Sequence, residues 1–205
     1  MAQENGWAMV VQLVSPAVAL LLGVAGICSE KIKGWLFGPR LSLEVHEPQG
    51  HYTRDKDGRP MRYYLIRVRN KHRKVTAAKV SVRIIALYKL NEEGKEEDRT
   101  PSMPLLLEQS ANLGTSVDIR SYDAFNVGYM GGLEKEPLKF LIQVHKQFVS
   151  FQGEVAPGEK MKVGLEIQAD NLSPSKTKYL IIDWQSNKPV PKCPWPAIPV
   201  LRLAD

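Results

Sequence analysis

Cysteine is scarce in this chain: its 205 residues include two, Cys28 and Cys193, too separated in role for a disulfide framework and in keeping with a reducing compartment. Histidine is sparse as well. His46, His51, His72 and His145 are dispersed, with none of the His or Cys spacings that assemble a metal site. The nucleophile elbow G-x-S-x-G and the glycine-rich phosphate loop are missing, and no paired carboxylates stand in a recognisable frame. Ser173-Pro174-Ser175-Lys176 spells the S-x-x-K of serine acyl enzymes. That chemistry needs the Lys one helical turn from the Ser, and here a proline falls between two expected strands. Asp55-Lys56-Asp57-Gly58 begins like a calcium loop, but the remaining oxygen ligands and the distal Glu are lacking and Arg54, Lys56 and Arg59 oppose a cation. A turn is the better reading. These absences leave no catalytic residue, no metal and no cofactor to expect.

Charge is missing from Asn5 to Ser29, and the first basic residues, Lys31, Lys33 and Arg40, follow directly. The apolar stretch from Trp7 to Cys28 is 22 residues long. At about 1.5 Å per residue it matches a hydrocarbon core of roughly 30 Å, which predicts a transmembrane helix over 7–28. A cleaved signal peptide would need a basic n-region and a shorter apolar segment. A lipoprotein signal would need a small residue before Cys28, where Ile27 stands. A retained single-pass anchor fits best, with 1–6 as a short tail and 29–40 as a juxtamembrane connector. The basic flank puts the body at the cytoplasmic face of the inner (plasma) membrane and the N-terminus outside. Lys31 and Lys33 then meet anionic lipid, each attracted by about 1 kcal/mol. Ser15, Ala19 and Gly23 line one helix face, where a second helix can approach closely and form a homodimer; small residues are also common in such helices without any seam.

The chain after residue 28 holds all 28 Lys and Arg against 21 of the 22 acidic residues, a moderately basic part suited to lie beside an anionic bilayer. From Leu41 the apolar period becomes two. Leu41, Leu43 and Val45 alternate with polar residues; Tyr64, Ile66 and Val68 share one face; and Val80, Val82, Ile84, Ala86 and Tyr88 share another. Charged residues from Asn91 to Ser102 read as a solvated loop. Leu105 to Glu108, Tyr122 to Tyr129, Leu138 to His145, Lys160 to Ala169 and Lys178 to Trp184 follow as strands, with Pro157-Gly158 a turn before the fourth. The end, 189–205, has five prolines in eleven residues from Pro189 and is expected to be extended, packing on or near the domain, with Val200 to Leu203 returning to an edge.

Eight or so strands without an intervening helical stretch predict an all-β fold, a single antiparallel sandwich over 41–188. Ile66-Arg67-Val68-Arg69-Asn70, then Ala77-Ala78-Lys79-Val80-Ser81-Val82-Arg83-Ile84, resembles the hairpin of bacterial CARDB-like and related immunoglobulin-like modules, and Pro157-Gly158-Glu159 looks like their second turn. The resemblance covers two strands and a turn. It implies an immunoglobulin-like sandwich.

One local feature stands out: the basic run of Arg67, Arg69, Lys71, His72, Arg73, Lys74, Lys79 and Arg83. Across a hairpin, Arg67 and Arg69 would join Lys79, Arg83 or both in one patch. The plain reading is a solvated sheet face; the functional one is docking onto anionic lipid or an acidic protein. Nucleic acid is disfavoured, because no aromatic residues interleave the run as a stacking platform. The expectation is a membrane-tethered, non-enzymatic interaction domain with an unidentified protein partner. Its rivals are an enzyme whose site is assembled from distant residues, and an extracytoplasmic adhesion-like domain on an uncleaved signal anchor.

Overall fold

Alternating apolar and polar residues give a backbone one face to bury and one to leave wet, and from Leu41 onward this chain spends them on strands. A computed structural model describes residues 38–111, 114–131, 138–146, 151, 153–172, 175–184, 195 and 197–204. The expected helix over 7–28, its seam residues Ser15, Ala19 and Gly23, and Lys31 and Lys33 lie outside them. Among the described residues there is no helix long and apolar enough to cross a membrane.

The strands in chain order are β1 (Leu41–Val45), β2 (His51–Arg54), β3 (Pro60–Asn70), β4 (Ala77–Leu90), β5 (Glu96–Asp98), β6 (Leu105–Leu106), β7 (Val117–Ile119), β8 (Tyr122–Gly131), β9 (Lys139–Ile142), β10 (Glu154–Val155), β11 (Lys160–Gln168), β12 (Lys178–Asp183) and β13 (Val200–Leu203). They form two antiparallel sheets. In the first, β3 is flanked on one side by β1 and β2 in turn and on the other by β8, with β9 and β10 beyond. In the second the order is β13-β12-β11-β4, and the far side of β4 is taken by β5, β6 and β7. The proline-rich end therefore supplies an edge strand, Leu180↔Leu203 to Asp183↔Val200.

One apolar core joins the sheets. Leu43, Tyr64, Ile66, Val68, Phe125 and Phe140 come from the first, and Val82, Ile84, Leu87, Val163, Leu165 and Ile182 from the second. Each such side chain contributes about 1.5–3 kcal/mol on burial, which makes this shared core the main hold between the sheets. Polar ties add direction. The Tyr64 hydroxyl donates to the Pro199 carbonyl at 3.0 Å, and the Leu201 amide donates to the Pro48 carbonyl at 2.8 Å.

Two details differ from the sequence pattern. β3 and β4 do not form a hairpin: they belong to different sheets, and residues 71–76 cross from one to the other. Asn70, fully buried, holds this crossover, its Nδ2 donating to Val75 and Ile119 carbonyls and its Oδ1 accepting from the Arg40 and His72 amides. Further along, the face of β4 switches. Gly164 pairs with Ala86 but Leu165 with Ile84, so Ile85 is an extra residue, a β-bulge. The alternation thereby shifts, and Leu87 enters the core in place of Ala86 and Tyr88. At the turn before β11, Gly158 has φ +87°, where any other residue would be strained.

Candidate binding site

The outer face of the first sheet carries a pocket of about 480 Å³, and a fault in β8 creates it. Tyr64 pairs with Gly128 and Leu65 with Asn126, leaving Val127 as a bulge. A bulge re-aims the side chains around it. Here Val127 enters the core while Asn126, opposite the outward Leu65, turns to the other face. On its far side β8 also changes partner at this point. β9 ends against Gly128, and the chain arriving from β6 takes over, with the Asn126 amide on the Glu108 carbonyl and the Ser110 amide on the Ala124 carbonyl. The pocket lies where the two partner segments meet.

Gly128 is required for this arrangement. A Cβ there would come within 2.8 Å of the Phe140 ring and overlap the Leu141 backbone.

Apolar walls come from Met61, Leu65, Tyr63 and Tyr129, the two tyrosine rings tilted by 48° with centroids 6.2 Å apart. Polar groups come from His51, Ser110, Asn126 and Gln143. Asn126 is only 7% exposed, yet its carboxamide makes no hydrogen bond among the described residues. Its amide atoms are left to the pocket that the residue lines, which makes it the most informative side chain of the site. Gln143 is oriented by its Nε2, which donates to Glu108 Oε2 at 2.8 Å, and its Oε1 is buried without a partner among the described residues. Glu108 also faces His145, Oε1 to Nδ1 3.5 Å, and so is committed to two neighbours.

The basic residues fare differently. Arg67 and Arg69 lie on the outer face of β3. The Arg67 guanidinium covers the Tyr122 ring at 4.6 Å, and Arg69 is 3.6 Å from Glu44. Arg83 projects from β4 in the other sheet. Lys79 sits on a second β4 irregularity with φ 47°; its amide donates to Asp118 Oδ1 at 2.7 Å and its ammonium meets Asp170 at 2.9 Å. The hydrogen bond to Asp170 and that residue's charge raise the Lys79 pKa. The single patch of Arg67, Arg69, Lys79 and Arg83 is therefore not assembled, because its two strands belong to different sheets. What the structure does bring together is the crossover, with Lys71, Arg73 and Lys74 all exposed, and Arg40: the Lys71 amide donates to the Arg40 carbonyl at 2.8 Å.

The pocket residues carried no local motif. The available signal was Asn126 and Gly128 inside an otherwise apolar strand, since both residue types are depleted in strands and a strand glycine marks a bulge or close approach. No family model and no curated protein matches the chain.

Proposed function

We propose that this protein is a non-catalytic binding module held at the cytoplasmic face of an inner membrane by a helix over 7–28, with its basic end seated on anionic lipid. The observation that carries this reading is the contact between Arg40 and Lys71. The chain enters the domain at Pro39–Arg40, directly beside the exposed Lys71, Arg73 and Lys74. With an anchor ending at 28 and a short connector, those ammonium and guanidinium groups come within reach of lipid headgroups, at about 1 kcal/mol each. The sheet faces then remain available to a protein or smaller ligand.

The strand pairing supports an immunoglobulin-like sandwich. β1-β3-β8 in one sheet and β4-β11-β12 in the other correspond to the A-B-E and C-F-G neighbours of that Greek key, with the β3 to β4 link as its B-to-C crossing. This corner takes the place of the hairpin in the resemblance to CARDB-like modules.

The test uses intact protein with Cys28 and Cys193 changed to Ser and a polarity-sensitive fluorophore attached at Arg73→Cys. Reconstituted into phosphatidylserine vesicles, the probe is quenched by headgroup spin labels, and high salt reverses the quenching. Equal quenching in phosphatidylcholine vesicles, or none in either, would sink the lipid-docking reading.

A further inference from the structure

The pocket on the outer face of the first sheet has its own chemistry, and none of the basic-end residues takes part in it. Its volume, about 480 Å³, falls within the roughly 300–1,000 Å³ of small-molecule sites. We infer that it binds a neutral glycosyl unit, one or two pyranose rings of a free or attached saccharide.

Three observations converge on that class. The first is the unpartnered Asn126 carboxamide, more than nine-tenths buried and lining the pocket. It offers one acceptor and two donors, the complement of a ring hydroxyl that both donates and accepts. Ser110 and the two tyrosine hydroxyls extend the same neutral donor and acceptor character around the rim, and His51 adds an imidazole. The second is the tyrosine pair. Tyr63 is 36% exposed and Tyr129 half-buried, and together with Met61 and Leu65 they offer π and aliphatic surface for the C–H face of a pyranose.

The third observation is electrostatic. No Lys or Arg lines the pocket, so a phosphate or carboxylate would meet no permanent cation there. Two carboxylates lie against lining groups, and both have partners: Glu108 is on Gln143 and His145, and Glu47 is 3.6 Å from His51. A cationic ligand would likewise lack a free anion among the lining groups. The tyrosines, inclined by 48°, cannot sandwich a flat nucleobase between parallel rings and leave it a single stacking face. A hydroxyl-rich, uncharged ring satisfies the amide without demanding a counter-charge.

This inference rests on the domain being a binding module but not on lipid docking, so loss of either property is a separate result. The experiment is saturation-transfer NMR on the intact protein in a zwitterionic detergent free of sugar headgroups, with cellobiose, maltose, N,N′-diacetylchitobiose and adenosine as probes. Saturable transfer to at least one disaccharide is expected. Tyr63→Ala, a substitution at an exposed ring, and Asn126→Ala should each weaken it at least tenfold, while Tyr122→Ala, on the same face but outside the pocket, leaves it unchanged. No transfer to any disaccharide, transfer insensitive to both pocket variants, or binding of adenosine alone would overturn the assignment.

Discussion

Single side chains in this domain act by connecting backbone segments that the sheets leave apart. Asn70 ties four backbone groups at the sheet-to-sheet crossover, and no apolar residue of its size could replace it there without leaving buried amides and carbonyls unpaired. Glu159 acts similarly at the turn into β11. Its Oε2 accepts from the Ala156 amide at 3.0 Å, and its Oε1 meets the Lys89 ammonium from β4. Burial pushes the Glu159 pKa upward, but the Ala156 amide, Lys89 and Arg99 outweigh it and hold the group below its ordinary value of 4.5. Because the folded pKa is the lower one, the carboxylate stabilises the fold above the ordinary value, and this contribution fades as pH falls through the folded pKa. Glu159→Gln should therefore cost about 1–2 kcal/mol at neutral pH. The gap to the natural protein should narrow below pH 4.5, as urea denaturation across pH would measure. No gap at any pH would mean that the turn needs the shape of the side chain and not its charge.

At the scale of the strand, the two bulges decide which residues meet. The one at Ile85 carries Leu87 into the core and leaves Ala86 and Tyr88 on the outer face of the second sheet. There Lys162 extends over the Tyr179 and Tyr88 rings, 4.4 and 5.7 Å from their centroids. Hydrogen bonding to Glu96 raises the Lys162 pKa, so the cation is held over those rings throughout the physiological range. The bulge at Val127 opens the pocket, and Gly128 lets β9 close against it. Gly128→Ala should destabilise the domain by about 2–3 kcal/mol through overpacking against Phe140 and Leu141. Thermal denaturation measures this, and a neutral substitution would show that β9 can move away from β8 at no cost. Neither bulge shows in strand periodicity, because an extra residue inverts the pattern only from that point onward, and the letters on either side still alternate.

At the scale of the whole molecule, the proposed anchor over 7–28 predicts that the domain lies on the cytoplasmic side of a membrane. Glu93, exposed in the charged loop between β4 and β5, is a suitable reporter. With Cys28 and Cys193 changed to Ser, Glu93→Cys should escape a membrane-impermeant maleimide in intact cells and react once they are permeabilised. Labelling of intact cells would favour the adhesion-like arrangement with the domain outside.

The sequence by itself determined the all-β character, the extents of most strands, and the turn at Pro157-Gly158. Those follow from local rules, period-two alternation and the φ preferences of proline and glycine, which a short window already contains. Asn91 to Ser102 reads in the sequence as a solvated loop, and β5 forms within it only because β4 extends far enough to pair with it. Only the tertiary structure decided that β3 and β4 part into separate sheets, dispersing Arg67, Arg69, Lys79 and Arg83 and leaving Lys71, Arg73 and Lys74 beside Arg40. The same holds for the pocket, whose Tyr63, Ser110, Asn126 and Gln143 come from positions far apart in the chain. Strand partnership is settled by which core buries the most apolar surface, a property of all thirteen described strands together that no single segment encodes.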